Sequence, residues 1–147
     1  MELDPRLIQK AVNLKNSEFF SGLQTDVLIE ISRLCEEVHL SAGQILFKEG
    51  DSANGLYFIL SGSISVVINE NVVNTMNSGE VLGEIALLDS GRRSATIVAE
   101  ETSILLKISP VLFDEILEDY SEVARQTMNM LVKRIRNIKS RMENSQI

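Results

Sequence analysis

Apolar residues recur at helical spacing at both ends of the chain and change to short runs between them. The first apolar stripe consists of Leu7, Ile8, Ala11, Val12 and Leu14. This spacing predicts a helix over about residues 6–15. A turn at 17–23 follows, and we expect its two aromatic residues, Phe19 and Phe20, to pack on the body of the protein.

A second helix is predicted after this turn, with Thr25 or Asp26 as its cap. Its apolar side consists of Val27, Leu28, Ile31, Leu34 and Cys35. We interpret Cys35 as a small core residue rather than a reactive thiol, because no histidine or second cysteine lies nearby in sequence.

From Val38 the pattern changes to short β-type runs separated by turns at glycine. The predicted strands are 38–40, 44–48, 56–60, 63–68, 72–76, 94–99 and 104–108. The segment 69–71 lies between two apolar runs and predicts a hairpin turn. Many short strands at this spacing are typical of a small antiparallel barrel or jelly roll.

Helical spacing returns after the last predicted strand. Ser109 is the expected cap of a helix that begins with Pro110, and its apolar face is Leu112, Phe113, Ile116 and Leu117. A further helix is predicted from about 121 to 142. Its seam is Ala124, Met128, Leu131, Ile135, Ile138 and Met142, at alternating steps of four and three residues. Such a seam is typical of a coiled coil, and we expect the second half to extend beyond the body.

Composition narrows the class of protein. The 147 residues are 44% hydrophobic and 24% charged, which fits one soluble domain. One cysteine and no visible signal peptide favour a reducing, cytoplasmic location. The net charge of −7 argues against nucleic acid binding by the body. Five basic residues near the chain end are interpreted as a solvated helix face, with nucleic acid or anionic lipid as the alternative: Lys133, Arg134, Arg136, Lys139 and Arg141.

Candidate chemistry is concentrated in residues 83–96. Gly83 has no side chain and so permits close backbone approach. Residues 84–88 are good helix formers, enough for one or two turns whose free amides favour an anion. Arg93 adds positive charge just before a predicted strand. Amides and a guanidinium suit a phosphate, and Glu84 suits ribose hydroxyls, so this stretch favours a sugar phosphate.

This stretch closely resembles the phosphate-binding cassette of the cyclic nucleotide-binding domain family. Ten positions fall in register: Gly83, Glu84, Ile85, Ala86, Leu87, Leu88, Arg93, Ser94, Ala95 and Thr96. Arg92 is a minor departure from the family pattern, because many members carry Pro at this position. Channel-type members often carry Arg there. The segment 50–66 resembles a family hairpin in which Gly50 and Gly62 hold turns and Tyr57 and Phe58 belong to the core.

The resemblance covers about residues 18–135 and implies a mainly β fold. We expect an eight-stranded antiparallel β-roll, jelly-roll-like, flanked by N-terminal and C-terminal helices. One domain is expected over residues 1–147: helical over 1–36, a β-roll over 37–108 and C-terminal helices over 109–147. No helix-turn-helix follows in these residues, so we expect a module without a DNA-binding domain.

The resemblance also implies a ligand and its site. The expected ligand is cAMP or cGMP, bound and not turned over, by a signalling module that needs no cofactor or metal. The expected nucleotide-binding residues are Gly83, Glu84, Ile85, Ala86, Arg93, Ser94 and Ala95. Glu84 would meet the ribose 2′-hydroxyl and Arg93 the phosphate. In the family, a Ser at the position of Ser94 often accompanies tolerance of cGMP. We nevertheless favour cAMP as the ligand, because it is the more frequent ligand in the family.

Three functions remain to be compared. The leading hypothesis is a cyclic nucleotide sensor whose C-terminal helix moves and pairs with a second copy or with a partner protein. The second is an enzyme with Glu84 and Asp89 as an acid/base pair, but no metal pair or nucleophile is evident in the sequence. The third is a structural or dimerisation module of the same fold that binds no ligand. His39, the one histidine, is expected at the surface.

Overall fold

The computed structural model describes residues 4–83 and 91–144. Helix α1 spans Pro5–Leu14, and its cap is Asp4, whose carboxylate accepts from the Arg6 amide at 2.9 Å. Helix α2 spans Thr25–Leu34. Phe19 and Phe20 in the turn between them are buried in the core, as expected.

The cap of α2 differs from the prediction of Thr25 or Asp26. Gln24 occupies the cap position and makes no side-chain capping bond. Thr25 is already the first helical residue, and the Asp26 carboxylate accepts from the Val27 amide, one residue on. The helix therefore begins one residue earlier than the capping pattern suggests.

Eight strands follow. They are β1 (Glu36–Leu40), β2 (Ile45–Phe47), β3 (Leu56–Ser61), β4 (Ser63–Ile68), β5 (Asn71–Asn77), β6 (Val81–Leu82), β7 (Thr96–Ala99) and β8 (Ser103–Ile108). They form two four-stranded antiparallel sheets, in the orders β1-β8-β3-β6 and β2-β7-β4-β5. This confirms the expected mainly β fold with flanking helices and adds β6, which the sequence analysis did not identify.

Strand β3 divides the interior into two cores because its side chains alternate between the two faces of the sheet. Leu56 and Phe58 pack with the helices in the first core. Tyr57 and Ile59 pack between the sheets in the second. Both faces of β3 are thus buried, which accounts for its uninterrupted apolar sequence and confirms that Tyr57 and Phe58 are core residues.

Two turns have backbone conformations that explain their residues. Asn69 and Glu70 both have positive φ, 50° and 66°, and form a two-residue turn between β4 and β5. The predicted turn over 69–71 was one residue longer, because Asn71 already belongs to β5. Gly62, between β3 and β4, has φ 103°. A Cβ at Gly62 would lie 2.7 Å from the Cα of buried Ser103, so the strand connection requires glycine there.

The lone cysteine and lone histidine have structural roles. Cys35 is half-buried against the first core, and this burial raises the pKa of its thiol to about 12. His39 is exposed, with Nε2 2.7 Å from Oε1 of Glu37. Lys10 lies 2.8 Å from the other oxygen of that carboxylate, linking α1 to β1.

Two helices complete the fold. Helix α3 spans Pro110–Asp119, and the Ser109 hydroxyl accepts from the Leu112 amide at 3.1 Å, as the capping pattern predicts. Helix α4 spans Ser121–Asn144. Val123 and Met130 pack its first half onto the first core, while Leu131 is half-buried.

A different side of α4 exposes large apolar side chains. They are Met128, Val132, Ile135 and Met142, with exposed fractions of 60%, 45%, 65% and 60%. We call these four residues the apolar strip of α4. Among the described residues, no helix is long and apolar enough to cross a membrane.

Candidate functional site

Arg93 lies at the centre of the candidate site and is only 3% exposed. Its backbone is held on both sides by the loop between β2 and β3. The Gly50 amide donates to the Arg93 carbonyl at 2.9 Å, and the Arg93 amide donates to the Asp51 carbonyl at 2.8 Å. These two bonds fix where the side chain enters the interior.

The guanidinium of Arg93 joins two segments of the chain. Nη1 donates to the Gly83 carbonyl at 2.9 Å, and Nη2 donates to the Gly55 carbonyl at 2.7 Å. Nη2 also lies 3.3 Å from Oδ1 of Asn54. Among the described residues, neutral oxygens orient this positive charge and hold it inside the protein.

An aromatic side chain lies against the same guanidinium. The central carbon of the guanidinium, Cζ of Arg93, lies 4.0 Å from the centroid of the Phe47 ring and 5.9 Å from the centroid of the Tyr57 ring. Burial, the largest effect, raises the pKa of Tyr57, so its phenol stays protonated and donates to Asn54 at 3.2 Å. The Phe47 ring and the Asn54 side chain thus both contact the guanidinium, a group that pairs well with an anion carrying several oxygens.

A cavity of about 120 Å³, open to solvent, lies beside Arg93. Its lining residues are Phe47, Val66, Met76, Leu82, Gly83, Arg93, Ser94, Ala95, Ile97 and Arg134. The set combines one polar segment around Arg93 with apolar side chains from five strands. Apolar walls with a few polar groups at one end are typical of a small-molecule site.

The structure brings together four of the seven residues that the sequence analysis assigned to nucleotide binding. Gly83, Arg93, Ser94 and Ala95 all line this cavity. Gly83 has φ 87°, and a Cβ there would lie 2.5 Å from Nη1 of Arg93, so the close approach depends on glycine. Glu84, Ile85 and Ala86, together with Leu87, Leu88 and Asp89, lie outside the described residues.

Other lining residues were not identified from the sequence. Phe47 and Met76 come from strands distant in sequence, so no local pattern marks them. Arg134 was expected on a solvated helix face, but it is half-buried and lines the cavity, and the sequence did contain a signal for this. Val123, Thr127, Met130 and Arg134 follow one another at steps of four, three and four residues, and the first three face the core. A charged residue that continues a body-facing stripe is a candidate for a site.

Comparison with known proteins bears on the same region. The sequence model described as "Cyclic nucleotide-binding domain" matches residues 37–120. The Pycsar effector protein PaPycTIR of Pseudomonas aeruginosa is 37% identical over 109 residues, covering 74% of this chain and 34% of that protein. The chain spans 8% to 34% of the length of the first curated relatives that it matches.

Two solved structures superimpose closely. The catabolite activator protein of Thermus thermophilus has a TM-score of 0.80 and 25% identity, covering 86% of this chain and 62% of that one. The regulatory domain of Toxoplasma gondii PKA, crystallised with cAMP, has a TM-score of 0.74 and 26% identity, covering 87% of this chain and 50% of that one.

Proposed function

This chain belongs to the cyclic nucleotide-binding domain family, and from that premise we propose that it binds a cyclic purine nucleotide, cAMP or cGMP, and that binding shifts helix α4. The observation that carries the proposal is the placement of Arg93 beside Gly83, Ser94 and Ala95 in one cavity with apolar walls. A cyclic phosphate supplies the anion for the guanidinium, and a purine supplies a flat apolar surface for the walls.

The roles of individual residues follow from this arrangement. Arg93 pairs with the phosphate, and the backbone amides of Ser94 and Ala95 complete its surroundings. In the family pattern Glu84 accepts from the ribose 2′-hydroxyl, and the amides of Glu84 and Ala86 join the phosphate site; these roles remain predictions from the sequence. The binding site needs no bond-breaking group, so the proposed activity is ligand sensing rather than catalysis.

Ser94 is proposed to affect the choice of base. It is exposed on the cavity wall, and in the family pattern a hydroxyl at this position accepts from the 2-amino group of guanine. One neutral hydrogen bond contributes about 0.5–1.5 kcal/mol net. Ser94 therefore biases the ligand preference by about tenfold at most, and it does not exclude cAMP.

Titration with nucleotides tests the proposal directly. We expect saturable binding of cAMP and cGMP in isothermal calorimetry, and much weaker binding of 5′-AMP and 5′-GMP. The linear monophosphates carry a second phosphate charge and a free 3′-hydroxyl where the ring would close. Absence of binding for both cyclic nucleotides would instead support a ligand-free structural module, and release of 5′-monophosphate during the titration would indicate an enzyme.

Helix α4 is the proposed moving element because it contributes Arg134 to the cavity and continues beyond the core. A ligand shifts a helix only by contacting one of its positions better than another. The apolar strip of α4 gives that movement an output. Met128, Ile135 and Met142 are seven residues apart, the repeat of a two-stranded coiled coil, so we expect the strip to pair with a second copy of the chain.

Hydrogen exchange and sizing together test the role of α4. Saturating cAMP or cGMP is expected to change amide protection across residues 121–142, and the wild-type protein is expected to be dimeric at high concentration. Ile135→Asp adds a charge to the strip and should yield monomers. Asn137→Asp adds the same charge at an exposed position outside the strip and should leave the dimer intact.

Two results would remove this role from α4. Protection that does not respond to nucleotide, in a protein shown to bind it, would contradict the moving helix. A wild-type protein that stays monomeric at high concentration, or an Ile135→Asp variant that still dimerises, would contradict pairing through the strip.

A further inference from the structure

Arg134 is the lining residue that helix α4 contributes to the cavity, whereas the other described lining residues belong to the β-roll. It is half-buried and continues the stripe formed by Val123, Thr127 and Met130. Val123 and Thr127 are buried, so the helix is held against the body about three and two turns before Arg134. The position of Arg134 at the cavity is thus set by packing.

Arg134 also separates two spaces. Together with Met76 it lines a neighbouring cleft of about 410 Å³, whose lining also contains Glu18 and Glu80. The cleft extends to Met130 and to the N-terminal turn. A side chain shared by both spaces forms the wall between them, so a ligand that fills the cavity beside Arg93 contacts Arg134.

The two arginines meet different parts of such a ligand. Arg93, with Gly83, Ser94 and Ala95, forms the end of the cavity that suits a phosphate. Val66, Met76 and Ile97 form apolar wall that suits the face of a base. Arg134, on α4, then meets the edge of the base. A guanidinium has donors and no acceptor, so it pairs with base atoms that accept hydrogen bonds.

Purines differ at that edge. Guanine presents acceptors at O6 and N7, whereas adenine presents a donor at N6 beside the acceptor N7. An arginine therefore discriminates in favour of guanine. We propose that Arg134 recognises the 6-keto group of the base and so favours guanine over adenine. The inference rests on the proposed function and moves its ligand preference from cAMP towards nucleotides with a 6-keto purine.

Three cyclic nucleotides separate this contact from the one proposed for Ser94. Inosine 3′,5′-cyclic monophosphate (cIMP) has the 6-keto group of cGMP but lacks its 2-amino group. Arg134→Met keeps much of the side-chain length and removes every donor. It is expected to lower affinity for cGMP and cIMP about tenfold and to change affinity for cAMP by less than about twofold. Ser94→Ala is expected to lower affinity for cGMP alone.

Arg136→Met is the matched control, because Arg136 is exposed on the same helix and its loss changes the net charge equally. It should bind all three nucleotides as the wild type does. Equal losses for the three nucleotides in Arg134→Met would overturn the proposal, because stacking on the base or contact with the phosphate would produce that pattern. Unchanged affinities would overturn it as well.

The wild-type protein provides an independent measurement if Arg134→Met does not fold. The proposal requires cIMP to bind at least as tightly as cAMP. Weaker binding of cIMP would overturn the role of Arg134 and leave the proposed function intact. Binding of none of the three nucleotides would overturn both, so the two failures are distinguishable.

Discussion

Replacing Arg93 with alanine is expected to weaken cyclic nucleotide binding by tens to thousands of times. The estimate follows from removing one partner of a buried ion pair, which costs roughly 2–5 kcal/mol. Arg93 is 3% exposed and its guanidinium carbon lies 4.0 Å from the centroid of the Phe47 ring, so water would compensate poorly for the lost charge. Calorimetric titration with cAMP and cGMP measures the loss.

The neighbouring arginine provides the control for this variant. Arg92 is exposed, and its guanidinium donates to the Gly50 carbonyl at 2.9 Å, outside the cavity lining. Arg92→Ala should retain binding within a few-fold. Thermal melts without nucleotide are needed for Arg93→Ala, because the side chain also joins Gly55 to Gly83 and its loss should lower stability. A folded Arg93→Ala that binds like the wild type would contradict the phosphate assignment.

Replacing Gly62 with alanine is expected to produce the largest loss of stability among single glycine substitutions in the roll. Its φ of 103° is strained for any residue with a side chain, and the new Cβ would lie 2.7 Å from the Cα of Ser103. Strain and overpacking each cost roughly 1–3 kcal/mol, so we expect a total of about 3 kcal/mol. Urea unfolding followed by circular dichroism measures the difference in free energy of unfolding.

Gly43 separates the two contributions. It has a similar φ of 85°, but nothing lies within 4 Å of a Cβ built there. Gly43→Ala should therefore show the backbone cost alone, about 1–2 kcal/mol. If both variants lose the same free energy of unfolding, the close approach of Gly62 to Ser103 has no energetic weight.

The sequence predicted the strands best where one local pattern determines burial. The β4 prediction matches Ser63–Ile68, because a strand between two tight turns has clear ends and alternating faces. Both faces of β3 are buried, so its apolar run could be recognised although it does not alternate. In the site, Gly83, Arg93, Ser94 and Ala95 could be predicted because they lie close together in the sequence.

The remaining features depend on contacts that no local pattern records. Strand β6 has two residues, Val81 and Leu82, too few to show a period, and it exists because β3 pairs with it. Gln24 occupies the N-cap position of α2 but makes no side-chain capping bond. The preference of cap positions for certain residue types therefore could not predict where this helix begins. Arg134 reaches the cavity because α4 returns to the roll, a tertiary arrangement that also brings Met76 beside it.

The order of the strands has a consequence for how the chain acquires its structure. Strands β7 and β8 come last in the roll, yet β8 lies between β1 and β3, and β7 lies between β2 and β4. Strand pairing between segments so distant in sequence gives the domain a high contact order. Domains with a high contact order typically fold in milliseconds to seconds. The β4–β5 hairpin is local and can form in microseconds. During synthesis on the ribosome, β1 therefore cannot pair with β8, and β2 cannot pair with β7, until residues 96–108 have emerged. Both sheets can then be completed.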